Sequence, residues 1–175
     1  GRLHPDKDQA TLLKGFALAL PHLPAQSRLA ILGTGRLEKD LKALARELGI
    51  AEQVLFLGQV PDARRYFRAF DAFALSSDHE PFGMVLLEAM VAGVPLLATA
   101  CGGAREVVEG VGILFPFGDA EHLGQGLQHL AAMDRQQHQL CAEMMLERLH
   151  QRFSDPAVRA TFWQLPPVLE LTARA

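Results

Sequence analysis

At 175 residues the chain is long enough to bury one continuous core and too short for two full catalytic domains. Apolar residues make up 49% and charged residues 21%, which excludes disordered, collagen-like and coiled-coil classes. A net charge of -3 without a basic stripe, and only Trp163 and Tyr66 beside ten phenylalanines, argue against a nucleic-acid partner.

Strand-like apolar runs alternate with helix-like stripes along the chain, which is the pattern of an α/β protein. After the turn at Pro5, Leu13, Phe16, Ala17 and Leu20 share one helical face, and Pro21 and Pro24 close that helix. Residues 28–33 read as a short buried strand. Gly33-Thr34-Gly35 then turns the chain into a helix striped by Leu37, Leu41, Leu44 and Leu48 and stopped by Gly49. Residues 54–57 predict a strand, 62–70 a short helix and 72–75 another strand. A polar loop over 76–81 leads into a helix from Phe82 to Ala92, broken at Gly93-Val94-Pro95, and residues 95–99 return as a strand. Gly102-Gly103 reads as a tight loop, 104–109 as a short helix, and 112–116 as the last strand. Asp119 can cap a helix carrying Leu123, Leu127 and Leu130, and residues 134–153 and 156–165 predict two more helices.

Short strands joined by helices are expected to return in parallel, because each parallel return needs a crossover. The expected fold is a Rossmann-like three-layer αβα domain with a parallel sheet over residues 1–175, with a C-terminal helix or tail from about residue 154. Ligands of such sheets bind outside the carboxyl ends of the strands, so the informative loops are 33–35, 76–83 and 101–105. The longest apolar runs, such as 84–87 and 94–98, are far below the roughly 18 residues of a membrane span. Cys101 and Cys141 lie apart, without metal-ligand spacing, and fit a reducing compartment, with the cytoplasm as the default location. The opening Gly1-Arg2-Leu3-His4-Pro5 has neither an initiator methionine nor a targeting pattern and suggests an excised domain.

The densest chemical feature is the segment 76–93, which holds two glutamates, Glu80 before the predicted helix and Glu88 within it. The amides of Phe82, Gly83, Met84 and Val85 open that helix, lack carbonyl partners four residues back and point outward with the positive end of its dipole. Such an end can seat a pyrophosphate, and Gly83 lets an anion come close to the backbone. With a nucleoside diphosphate sugar in that seat, polyhydroxylated groups fall on both sides of the anion. A carboxylate accepts two hydrogen bonds at once, so one glutamate can hold the ribose diol and the other the sugar hydroxyls. Gly33-Thr34-Gly35 fails the dinucleotide fingerprint because Glu38 stands at its last glycine position. Cys101 reads better as a small buried thiol than as a nucleophile.

The segment 80–95, E-P-F-G-M-V-L-L-E-A-M-V-A-G-V-P, resembles the E-x7-E signature of the group 1 (family 4) retaining glycosyltransferases of the GT-B fold. The resemblance extends over nearly the whole chain, through Gly1-Arg2-Leu3 with Lys7, residues 32–35, 54–60, 71–76, 98–106 and 112–116 in the same order. It implies that Arg2 and Lys7 contact the donor diphosphate, Glu80 the sugar and Glu88 the ribose, while Val60 offers backbone groups to the base. Glu80, Arg2 and Lys7 are then the candidate catalytic residues. Val60, Glu80, Phe82, Gly83, Met84, Val85 and Glu88 are the candidate substrate-binding residues.

Fixed cations stabilise the charge that a leaving diphosphate gains, so no metal and no cofactor are expected. The resemblance further implies that the chain is the C-terminal half of a two-domain enzyme and that an N-terminal acceptor domain is missing. That enzyme would transfer a sugar from a nucleoside diphosphate sugar to a hydroxyl, with cell-surface polysaccharide or lipopolysaccharide synthesis as the commonest setting. No membrane span is read in these 175 residues, and peripheral association of that enzyme with the inner face of a membrane is compatible with this reading. A non-catalytic sugar-nucleotide-binding module and a GT-B nucleotide-sugar epimerase are the alternatives.

Overall fold

A computed structural model describes residues 1–81 and 83–152; the helix expected over 156–165, the tail and Phe82 lie outside the described residues. Five strands and six α-helices follow one another among the described residues: α1 Gln9–Ala19, β1 Leu29–Leu32, α2 Glu38–Glu47, β2 Val54–Gly58 and β3 Phe73–Leu75 come first. They are followed by α3 Met84–Val91, β4 Leu96–Thr99, α4 Gly102–Val108, β5 Ile113–Phe115, α5 Ala120–Ala132 and α6 Arg135–Arg152. All strand pairs are parallel, β1 with β2 and β4 with both β3 and β5. The helix ends follow local chemistry. The Asp8 carboxylate accepts from the Thr11 amide at the start of α1, and Asp119 accepts from the His122 amide at the start of α5.

Side-chain parity along the strands builds the layers, since neighbouring residues of a strand face opposite ways. Leu96 and Ala98 of β4 pack with Leu75, Leu86, Met90, Val107, Val108, Met145 and Leu149, so α3, α4 and α6 cover one face. Leu97 faces the other way, onto Leu12, Phe115, Leu123 and Leu130, where α1 and α5 lie. Burying each such side chain is worth about 1.5–3 kcal/mol. A third cluster, Leu3, Leu13, Phe16, Ile31, Leu41, Ala45, Ile50 and Val54, joins α1 and α2 to β1 and β2. The crossing of α1 and α5 is close because Gly15 meets Leu123 and the Ala120 carbonyl where a side chain would otherwise stand.

The expected Rossmann-like αβα fold with a parallel sheet is therefore the observed one, with local differences. The hydrogen-bonded ladder is divided into β1–β2 and β3–β4–β5, although Leu29 of β1 and Ala74 of β3 pack against the same cluster. The short helix expected over 62–70 is a 3-10 turn, Ala63–Ala69. The pair Gly102-Gly103, expected as a loop, forms the first turn of α4 because Cys101 already supplies the extended residue before it.

Candidate active site

Because the strands are parallel, the loops after β1, β2, β3 and β4 all leave the same edge of the sheet. The chain start joins them there. The Leu3 amide donates to the Thr34 carbonyl at 3.0 Å, and the Leu37 amide donates back to Leu3 at 3.4 Å. The Gly33–Gly35 turn is thus filled by backbone: a side chain on Gly33 would overlap Gly1, and one on Gly35 would overlap Leu3. A second 3-10 turn, Pro5–Lys7, docks on the exit of β3. There the Ser76 hydroxyl donates to the Lys7 carbonyl at 2.9 Å and the Asp78 amide donates to Asp6 at 3.0 Å.

This docking brings together two residues 73 positions apart: Lys7 Nζ lies 3.1 Å from Glu80 Oε2, with the side chains 27% and 15% exposed. The backbone of Glu80 is braced from behind. Its carbonyl accepts from the Gly103 amide at 2.8 Å, and Gly102 and Gly103 come so close to the Glu80 and Pro81 backbone that side chains there would overlap it. The exit of β4 supports the same loop, as the Thr99 hydroxyl and the Cys101 thiol both donate to the Ser77 carbonyl, at 2.5 and 3.2 Å. Cys101 is therefore engaged in structure, although it is half-buried rather than buried as expected.

Helix α3 begins at Met84, two residues later than expected, because Gly83 adopts a left-handed backbone (φ 63°). The Gly83 carbonyl accepts from the Leu86 and Leu87 amides, so Met84 and Val85 form the first turn, whose amides have no carbonyl four residues back in the helix. Phe82, which was expected to contribute an amide, lies outside the described residues. Glu88 is half-buried on the next turns of α3. Burial pushes its carboxyl above the ordinary value, with Arg64 drawing it down and Asp62 pushing it further up.

Arg2 stands apart from the Lys7–Glu80 pair. Its side chain is 76% exposed and reaches Asp6 at 3.8 Å, an i,i+4 pair at the surface. Asp6 also accepts from His4 Nδ1 at 2.5 Å, and that hydrogen bond, ahead of the nearby Lys7 and Arg2 charges, holds its carboxyl below the ordinary value. Val60 is half-buried in the loop after β2. Two residues on, Asp62 accepts from Arg64 Nε at 2.7 Å and pairs with Arg65 Nε. His4, Asp6, Asp62 and Arg64 were not singled out from the sequence, where the only signal is a carboxylate two positions from its partner. A surface depression lies elsewhere, between α6 and the loop before β5, lined by Glu109, Glu143, Glu147 and Arg148.

Fold and site together define the class: a Rossmann-like αβα domain with a cation–carboxylate pair and an open helix start at the carboxyl edge of its parallel sheet. Residues 1–143 match the family described as glycosyl transferases group 1, and the chain belongs to that family. Over 139 residues it is 33% identical to the lipopolysaccharide core biosynthesis glycosyltransferase LpsE of Rhizobium meliloti (strain 1021), covering 78% of this chain and 41% of that protein. It is 38% identical over 136 residues to the mannosylfructose-phosphate synthase of Agrobacterium fabrum, covering 71% of this chain and 30% of that one. Among solved structures, HepE of Anabaena in complex with UDP superposes with a TM-score of 0.77 at 29% identity, over 87% of this chain and 43% of that one. The chain thus spans less than half the length of each of these relatives.

Proposed function

We propose that this chain is the donor-binding domain of a retaining glycosyltransferase that moves a sugar from a nucleoside diphosphate sugar to a hydroxyl acceptor. The observation that carries the reading is the Lys7–Glu80 pair at the mouth of α3, with Glu88 eight positions further along that helix. The diphosphate sits on the first-turn amides of Met84 and Val85, close to the Gly83 backbone, with Lys7 and Arg2 supplying positive charge. Charge grows on the diphosphate as the glycosidic bond breaks, and preorganised cations lower the energy of that state. Glu80 accepts from sugar hydroxyls, Glu88 from the ribose diol, and Val60 offers its backbone to the base. The relatives support this: HepE is solved with UDP and also with UDP-glucose, and LpsE acts in lipopolysaccharide core biosynthesis. Cell-surface glycan synthesis is accordingly the proposed setting, with the cytoplasm as the compartment and an acceptor-binding domain as the partner.

Calorimetric titration tests the reading. Nucleoside diphosphate is expected to bind with undiminished affinity in excess chelator, since amides and side-chain cations hold it; loss of binding on chelation contradicts the metal-free seat. Glu88→Ala is expected to weaken bare nucleoside diphosphate, whereas Glu80→Ala weakens chiefly the intact nucleotide sugar. A lost charge-assisted hydrogen bond corresponds to about 1.5–3 kcal/mol. Parent-like binding of both ligands by both variants refutes the assignment.

A further inference from the structure

The Lys7–Glu80 pair is held in place from its backbone outward. On one side the Lys7 carbonyl accepts from the Ser76 hydroxyl at 2.9 Å and the Asp6 carbonyl from the Asp78 amide at 3.0 Å, which fastens the turn Pro5–Lys7 to the loop after β3. On the other, the Glu80 carbonyl accepts from the Gly103 amide at 2.8 Å, and the glycines at 102 and 103 press against the Glu80 and Pro81 backbone. Neither backbone can withdraw without breaking these bonds, so the ammonium and the carboxylate meet at 3.1 Å, 27% and 15% exposed. Water screens them less than it screens Arg2 and Asp6, which stand 3.8 Å apart at the surface.

In the proposed seat the same ammonium faces the diphosphate and the same carboxylate faces the sugar. An intact nucleotide sugar answers both groups at once: its hydroxyls donate to Glu80 while its phosphate oxygens accept from Lys7. A bare nucleoside diphosphate, which is the product, brings no donor for Glu80 and carries a further ionisable oxygen where the sugar was attached. It must draw Lys7 from a carboxylate that stays where it is, and it sets its terminal phosphate beside that carboxylate. A shielded carboxylate deprived of its cation is costly, and two neighbouring anions repel.

We propose that Glu80 is a specificity-determining residue that turns the site against its own product: through the fixed pair with Lys7 it weakens bare nucleoside diphosphate and so favours exchange of product for fresh donor. The inference rests on the reading of this loop and helix start as the nucleotide-sugar seat. It adds a role for the ion pair itself, in discriminating donor from product.

The test is calorimetric affinity of the whole chain, at neutral pH, for UDP against UDP-glucose, GDP against GDP-mannose and ADP against ADP-glucose. For the pair that binds, Glu80→Gln is expected to hold the bare diphosphate about three- to tenfold more tightly than the parent and the sugar form at least about threefold more weakly. Glu80→Asp keeps the charge and is expected to hold the diphosphate within about twofold of the parent. A Glu80→Gln protein that loses the sugar form yet gains nothing on the diphosphate overturns the inference and leaves the seat standing. An equal gain on both forms, or a gain shared by Glu80→Asp, overturns it as well, because the carboxylate then does not tell donor from product by its charge. A parent that binds none of these ligands, or a Lys7→Gln protein that binds them as the parent does, removes the seat and this inference with it.

Discussion

Glu88 shows most directly how one side chain is used against its own stability. Burial raises its carboxyl above the ordinary value, so the folded chain binds this proton more tightly than the unfolded chain does. Stability from that difference is complete below the ordinary carboxylate range and is lost as pH rises through the raised, folded-state value. Glu88→Gln carries no charge at any pH and is therefore expected to melt above the parent at neutral pH, with the gap closing toward about pH 4. Melting curves across that range check it, and a parent that melts at or above the variant at neutral pH contradicts the assigned burial. The same substitution is expected to weaken nucleoside diphosphate binding. Lys7 and Glu80 differ in that each answers the other's charge in a largely water-shielded pair.

At the scale of elements, close contacts explain several glycines that sequence patterns leave ambiguous. Gly15 lies where α1 crosses α5, and a side chain there would overlap Leu123. Gly15→Val is expected to destabilise the fold by about 1–3 kcal/mol through overpacking, measured by denaturant unfolding. A variant as stable as the parent means that the two helices can separate without cost. The strands and helices were legible because period and run length are local properties: Leu96, Leu97 and Ala98 form the unbroken apolar run of a strand, and the structure covers β4 on both faces. The Lys7–Glu80 contact was not legible by pattern, since nothing local links positions 73 apart, and only the family resemblance put both residues in one site. The later start of α3 escaped for a different reason. A glycine inside a helical stripe can extend the helix or end it, and here Gly83 adopts the left-handed conformation that ends it. The short helix expected over 62–70 is present as a 3-10 helix, a winding that its apolar spacing does not distinguish from an α-helical one.

At the scale of the whole molecule, the site is an edge. Loops leaving one side of a parallel sheet, the start of the chain and the first turns of α3 make it up, and in the proposed reading an acceptor must approach from the open side. The chain is therefore expected to bind nucleotide sugar yet show no acceptor-dependent transfer, because water must be excluded and the acceptor aligned by a second wall. Radiolabelled donor and a panel of hydroxyl acceptors test this, and turnover by these 175 residues alone would show that one wall suffices. The start of the chain adds a mechanical consequence. Leu3 is tied to Thr34 and Leu37 beside the two-stranded ladder, while Asp6 and Lys7 are tied to Asp78 and Ser76 beside the three-stranded one. Residues 3–7 are thus a tie-rod across the seam where no ladder hydrogen bonds run. Lys7, at the end of that stretch, also pairs with Glu80, so one short run of backbone both bridges the two ladders and sets one half of the cation–carboxylate pair.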